Sequence, residues 1–419
     1  MNAGKPPKIV ATTAAVIATA AVVLLFGGFA VWFNGWSPAA PGMLSGGDAE
    51  AADREPGAGT LPARLGAPGV WTADGEQHPI GAASVLYSSN TWYFDGSDWY
   101  LGLVGKKSDT YRVLDLMGAA GMSSVLAPAG DRLAVPDGIV DLAGGRLSEY
   151  PAQLRELVVD PQAWSPDGTM LAVLTSTEQE NELRLLEVAT GKIRDIAPLS
   201  FLGALHGWTV AFSPDGGRLA YQVEDRIRVV PLNGGNPQDY EIPPGARLAG
   251  KGAWQPDGKG LLVVAGAECD CGDYPMRWTV TTVPIGAAAA PPAWTVDGAY
   301  ALRVLGWSAG RPVAAEYTAV DGTPPATFAD EASRFGLTSQ DHIQSVRLVE
   351  LGTGRVLLES DSGAESIDVA DAVLAGGATR PGDPMLVDAD FLLLAPIVLL
   401  GASIATLVTL SVWRRATGG

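Results

Sequence analysis

Three copies of an aromatic-x-Pro-Asp-Gly motif, a spacing of 34 to 53 residues between blade-like segments, and two uncharged apolar runs near the chain ends predict the fold class. The expectation is an all-β, six-bladed β-propeller flanked by N- and C-terminal transmembrane helices, because repeats of about 40–50 residues carrying paired hairpins build four-stranded propeller blades. The chain has 419 residues, 52 of them Gly and 30 Pro, which suits a folded protein with many turns.

Residues 1–8 read as a cytoplasmic tail and 9–33 as a transmembrane helix. The run Ile9 to Phe33 holds no charge over 25 positions, enough at 1.5 Å per residue to cross the ~30 Å hydrocarbon layer. Lys5 and Lys8 precede it, and Arg414 and Arg415 follow the second run, so the positive-inside rule places both termini in the cytoplasm. A cleaved signal peptide is the competing reading of the first run, although its apolar core would be short, about 7–15 residues. Residues 34–79, rich in Pro, Gly, Ala and Asp, are expected to form an extracytoplasmic linker.

The propeller is expected over residues 80–361. Trp164-Ser165-Pro166-Asp167-Gly168, Phe212-Ser213-Pro214-Asp215-Gly216 and Trp254-Gln255-Pro256-Asp257-Gly258 are each followed by a short apolar run. In such a motif the aromatic residue ends a strand and buries its ring, Pro and Asp-Gly make the reversal, and the apolar run is the next strand. Weaker copies align at Trp92, Leu126 and Trp307, so the blade anchors are Trp92, Leu126, Trp164, Phe212, Trp254 and Trp307. Each is followed by a second hairpin signal, as in Leu186-Glu187-Val188 leading into Thr190-Gly191, and two hairpins make four strands. Trp71 to Gly75 and Trp294 to Gly298 resemble the anchor but leave no room for a blade before the next copy. They are read as turns, with a seven-bladed ring as the alternative.

Residues 362–390 are expected as a second linker, 391–413 as a transmembrane helix and 414–419 as a cytoplasmic tail. Phe391 to Trp413 is uncharged over 23 positions. All 46 acidic residues lie between the two runs, so the intervening segment is four charges more negative than the chain's net −18. That acidity, with a pI near 4.5, argues against a nucleic-acid partner, whose phosphates are bound through Lys and Arg.

The copies at 164–168, 212–216 and 254–258 resemble the repeat of TolB-like β-propellers, over roughly residues 80–362. The resemblance implies six blades around a central channel and a protein-binding role in the cell envelope. The two apolar runs and the acidic linker depart from a soluble periplasmic form, so the partners of the better-known member are not carried over.

Three constellations bear on chemistry. Gly306-Trp307-Ser308-Ala309-Gly310 matches the GxSxG nucleophile elbow, which requires a strand-turn-helix setting and a hydrolase sheet after it. Ser308 falls instead on the blade register. Cys269 and Cys271, the two cysteines, are a candidate structural disulfide pinning a long hairpin. A cation site with neighbouring carboxylates and an intermolecular disulfide remain open, with no His nearby to complete zinc's usual four ligands. His78, His206 and His342 are widely spaced. No catalytic residue, cofactor or metal is assigned. The expected function is a membrane-anchored binding module for an envelope protein or extracellular ligand, with a propeller-based hydrolase or lactonase as the alternative.

Overall fold

The computed structural model describes residues 57–66, 72–89, 100–114, 124–176, 181–199, 210–271, 274–286, 293–323, 343–360 and 364–382, with the single positions 400, 403 and 407. The chain divides into two compact units. One joins Ala40–Pro68 to Ala73–Pro384 and contains the sheets. The other joins Met1–Ala39, Gly69–Thr72 and Met385–Gly419, of which Thr72, Leu400, Ser403 and Leu407 are described. The expected membrane runs thus lie almost wholly outside the described residues. Among those described, no helix is long and apolar enough to cross a membrane.

Alternating apolar residues between Gly turns produce the strands in chain order. β1 (Leu61–Pro62) and β2 (Arg64–Leu65) precede the first blade, which contains β3 (Ala83–Ser89), β4 (Tyr100–Gly105) and β5 (Tyr111–Leu114). The second blade is β6 (Val125–Leu126), β7 (Arg132–Val135), β8 (Gly138–Asp141) and β9 (Arg146–Glu149). After α1 (Ala152–Arg155), the third is β10 (Val158–Trp164), β11 (Met170–Ser176), β12 (Asn181–Glu187) and β13 (Lys192–Leu199). The fourth is β14 (Val210–Phe212), β15 (Arg218–Val223), β16 (Arg226–Pro231) and β17 (Gln238–Glu241). The fifth is β18 (Arg247–Leu248), β19 (Gly260–Glu268), β20 (Met276–Pro284) and β21 (Trp294–Asp297). The sixth is β22 (Ala301–Ser308), β23 (Arg311–Ala319), β24 (Ile343–Glu350) and β25 (Arg355–Ser360), followed by β26 (Ala364–Val369), α2 (Asp371–Gly376) and β27 (Thr379–Arg380).

The described residues therefore hold six blades, and the six-bladed expectation stands over the seven-bladed one. Trp294 opens the outer strand β21 rather than a turn. Both faces of an inner strand are buried, as face-to-face packing of blades requires. Trp164, Leu171 and Val173 join the core shared with the second blade, while Ala163, Ala172 and Leu174 alternate into the core shared with the fourth. The outer strand β9 is exposed along its length.

Closure of the ring uses both chain ends. β26 enters the first blade as its innermost strand, antiparallel to β3, with Ile367 opposite Tyr87. β2 adds a fifth, parallel strand outside β25 in the sixth blade, and β1 pairs with β27. These contacts cover two edges that would otherwise present unpaired backbone groups. The stretches expected as linkers, 34–79 and 362–390, thus contribute β1, β2 and β26 to the ring, and the boundary at 361 cuts off the first blade's inner strand.

That topology also shifts the first repeat. In later blades the anchor ends or follows the innermost strand. Trp92 lies outside the described residues, between β3 and β4, the second and third strands of its blade. The first blade takes its inner strand from the far end of the chain, so the turn that would carry an anchor there does not exist.

Candidate functional site: two unlike mouths of the ring

The anchor turns are built from their own side chains. Ser165 Oγ donates to Asp167 Oδ1 at 2.6 Å, Thr169 N donates to the same oxygen at 3.0 Å, and Met170 N donates to Ser165 Oγ at 2.9 Å. Ser213, Asp215, Gly217 and Arg218 repeat the pattern. Hydrogen bonds from the serine hydroxyls, then from backbone N–H groups, hold the Asp167 and Asp215 carboxyls below their ordinary range. Gly168 at φ +67° and Gly216 at φ +67° occupy the left-handed region the reversal needs.

The anchors also join neighbouring blades. Trp164 Nε1 donates to Val125 O at 3.0 Å, Trp254 Nε1 to Ala211 O at 3.0 Å and Trp307 Nε1 to Gly252 O at 2.9 Å, each one blade back. The return contact comes from arginine. Arg132 lies over the Trp164 ring and donates to Gly168 O at 2.9 Å, and Arg218 lies over Trp254 and donates to Gly258 O at 3.0 Å. The Phe212 side chain has no N–H and fills apolar core, while Leu126 donates its backbone N–H to Asp368 Oδ2 at 2.9 Å. The described anchors hold the ring together. The arginines escaped the sequence reading, although Gly130-Asp131-Arg132-Leu133-Ala134 and Gly216-Gly217-Arg218-Leu219-Ala220 share a visible pattern.

The anchor turns gather at one mouth, and there the C-terminal segment crosses the hub. Lys251 Nζ of the fifth blade lies 2.9 Å from Asp368 Oδ1 and 2.9 Å from Asp371 Oδ1, and it donates to Val369 O at 2.7 Å. The Lys251 side chain is 10% exposed and that of Asp368 5%, whereas Asp371 is 45% exposed. Burial works against the Lys251 ammonium, but the Asp368 and Asp371 charges outweigh it and hold its pKa above the usual lysine value. Arg303 adds a bond from Nη2 to Ile367 O at 2.6 Å. α2 then packs Leu374 against Gly306, where a Cβ would come within 2.8 Å of it, and Ala372 N donates to Pro128 O at 3.0 Å. Blades two, five and six thus all touch the segment that follows β26.

The opposite mouth carries the connections from second to third strands and between blades. Strand ends on that side are the ones separated by most of the long stretches of chain, 90–99, 115–124, 200–209, 269–275 and 320–342, which lie largely outside the described residues, whereas 249–259 and 285–293 separate strand ends on the anchor side. On the anchor side the turn between first and second strands is as short as Ala309-Gly310, where φ is +48° and +76°. Two positive φ values match the tight hairpin joining β22 to β23, so Ser308 ends a strand and no helix follows it. The elbow geometry is absent there.

Cys269 and Cys271 are joined as a disulfide at the tip of the β19–β20 hairpin, on the long-connection side. Asp297, at the end of β21, stands beside them: the two sulfurs and a carboxylate oxygen lie within 4.8 Å of one another. Asp297 accepts from Arg277 Nε at 2.6 Å and Nη2 at 2.9 Å. Sequence spacing gave no cue to Asp297, which arrives by cross-strand register, opposite Arg277. Of the histidines, His78 is described, and its carbonyl accepts from Arg112 Nε at 2.7 Å. His206 and His342 lie outside the described residues.

No family model matches the chain, and no curated protein matches it. Among solved structures, TolB from Acinetobacter baumannii is similar at 12% identity and a TM-score of 0.40, over 68% of this chain and 65% of that one. Hydrazine synthase from Kuenenia stuttgartiensis aligns at 17% identity and a TM-score of 0.35, over 58% of this chain and 66% of that one. Oligogalacturonate lyase from Vibrio parahaemolyticus aligns at 11% and 0.41, over 72% and 78%. No activity, ligand or partner passes from these proteins to this chain, and the propeller assignment rests on the hydrogen-bonded sheets themselves.

Proposed function

We propose that the protein is a two-pass, membrane-anchored propeller held outside the cytoplasm, and that it serves as a binding module for an envelope protein or an extracellular ligand rather than as an enzyme. The observation that carries this reading is the inequality of the two mouths. Strand ends at one mouth are joined mostly by short turns and crossed by the C-terminal segment, while most of the long stretches of chain separate strand ends at the other. Loops positioned by a rigid scaffold are where recognition is concentrated. The anchoring is supported by the uncharged runs at 9–33 and 391–413 with basic residues on their outer flanks. The acidity of the intervening segment favours a partner carrying positive charge.

Site-directed photocrosslinking in cells tests the binding role. Probes replacing Glu156 or Asp225, both exposed on the long-connection side, are expected to capture one reproducible partner. A probe replacing the exposed Thr190 on the anchor side is expected to capture none. Equal capture from both sides, or none from the first, would overturn the assignment of the binding face. Topology is tested by reducing intact cells and applying a membrane-impermeant thiol reagent. Labelling of Cys269 and Cys271 only in broken cells would reverse the orientation.

A further inference from the structure

The hairpin joining β19 to β20 ends in Glu268-Cys269-Asp270-Cys271, and its tip is fixed by Cys269 N donating to Pro275 O at 3.1 Å. β21 runs beside β20 and delivers Asp297 to the same point, opposite Arg277. Two sulfurs from one loop and a carboxylate from a neighbouring strand therefore converge, with their ligand atoms within 4.8 Å of one another.

We propose that this cluster is a redox-gated site for a zinc-class divalent cation, with Cys269 Sγ, Cys271 Sγ and a carboxylate oxygen of Asp297 as ligands and water in the fourth position. The Cys269–Cys271 disulfide is its closed state. Three protein ligands with one open position are an established zinc arrangement, and thiolate sulfur and carboxylate oxygen are both zinc ligands. Bond lengths of about 2.3 Å to sulfur and 2.0–2.2 Å to oxygen at tetrahedral angles place ligand atoms about 3.5–3.8 Å apart. Breaking the disulfide lets the two sulfurs move apart to that figure while the Asp297 oxygen, within 4.8 Å of both, closes to it, and a Cα–Cα distance of 5.3 Å keeps both sulfurs within reach of one ion.

The surroundings suit such an ion. Arg277 donates to both Asp297 oxygens and orients the carboxylate, as groups around ligating carboxylates commonly do, while each oxygen keeps a further lone pair. Glu268 and Asp270 add negative charge at the tip. Two thiolates select zinc-like, cadmium-like or cuprous ions over calcium and magnesium, which prefer oxygen. Both cysteines are only half-buried, so a small dithiol reaches them.

Opening balances as thiol–disulfide exchange. An external dithiol supplies two electrons and two protons, the Cys269–Cys271 S–S bond breaks to two thiols, and the reductant closes to its own disulfide. Binding of Zn²⁺ then releases both thiol protons to water and forms two Zn–S bonds.

The full chain, purified in detergent, is reduced with dithiothreitol, desalted without oxygen and dialysed against Zn²⁺. Elemental analysis is expected to find about one zinc per reduced chain and none per oxidised chain. Replacement by Co²⁺ is expected to give thiolate-to-cobalt absorption. Cys271→Ser should abolish binding. Asp297→Asn should weaken it at least tenfold while leaving formation of the disulfide in air unchanged. A reduced chain that takes up no zinc, an oxidised chain that binds equally, or an Asp297→Asn chain with unchanged affinity would each overturn the proposal. The partner-capture experiment above is independent of these outcomes.

Discussion

The Arg218 guanidinium lies 4.5 Å from the centroid of the Trp254 ring while the Trp254 indole donates to the strand just before Arg218, at Ala211 O. Each residue thus holds the other's blade. Arg218→Lys loses the planar stack and the directed bond to Gly258 O, with an expected cost of about 1–2 kcal/mol. Trp254→Phe keeps a ring and loses the N–H, at about 1–2 kcal/mol. Chemical denaturation of both single variants and the double variant should show coupling, with the double variant less destabilised than the sum. Strict additivity would show that the two contacts act separately.

Lys251→Met is expected to be the more severe change at the hub. It leaves the Asp368 carboxylate, 5% exposed, without its cation, and breaking one partner of a buried pair typically costs about 3–5 kcal/mol. Asp371→Asn removes the half-exposed partner and should cost about 1 kcal/mol or less, because Asp368 still neutralises the ammonium. Thermal melts of the two variants check the order.

Acid sensitivity should have an identifiable source in the sixth blade. Glu350 accepts from Arg355 at 2.9 Å, from Thr353 Oγ1 at 2.9 Å and from Arg311 at 2.7 Å, and these bonds, that from Arg355 first, pull its pKa down to about 2 from 4.5. A carboxyl with a lowered folded-state pKa stabilises the fold above its unfolded value. As pH falls from about 4.5 toward 2 the unfolded chain takes up the proton first and that contribution disappears. Glu350→Gln should flatten the fall in urea midpoint across this window and lower the midpoint near neutrality.

Truncation distinguishes the two halves of the closure. A chain ending at 361 lacks β26, Asp368 and α2, exposes the edge of β3, and is expected to aggregate rather than give a monodisperse peak in size-exclusion chromatography. Deleting 57–66 removes the two short strands β1 and β2, with the buried Leu61 and Leu65, and the bond from Tyr87 OH to Gly66 O. That deletion should leave a folded ring weakened by about 3–6 kcal/mol.

What the sequence disclosed and what it hid divide along contact range. The turns at Asp167, Asp215 and Asp257 were readable because their bonds close within a few residues. Ser308 was rightly placed on the blade register, since an Ala309-Gly310 turn is a local signal. The first blade was misframed because its inner strand comes from the other end of the chain, and residues 362–390, poor in motifs, read as a tether. Lys251 with Asp368, and Cys269 with Asp297, belong to different segments joined only by register and closure. The paired arginines were legible in principle, as a Gly-x-Arg-Leu-Ala pattern in alternate repeats whose partners are tryptophans in the intervening ones.

The hydroxyls of Ser88 and Ser366 meet at 2.8 Å across 278 residues of chain. Ribosomes add about 5–20 residues per second, so the first blade to emerge waits roughly 15–55 s for the strand that completes it. The ring cannot close before its last-made strand exists, and until then β3 has no native partner on its inner edge.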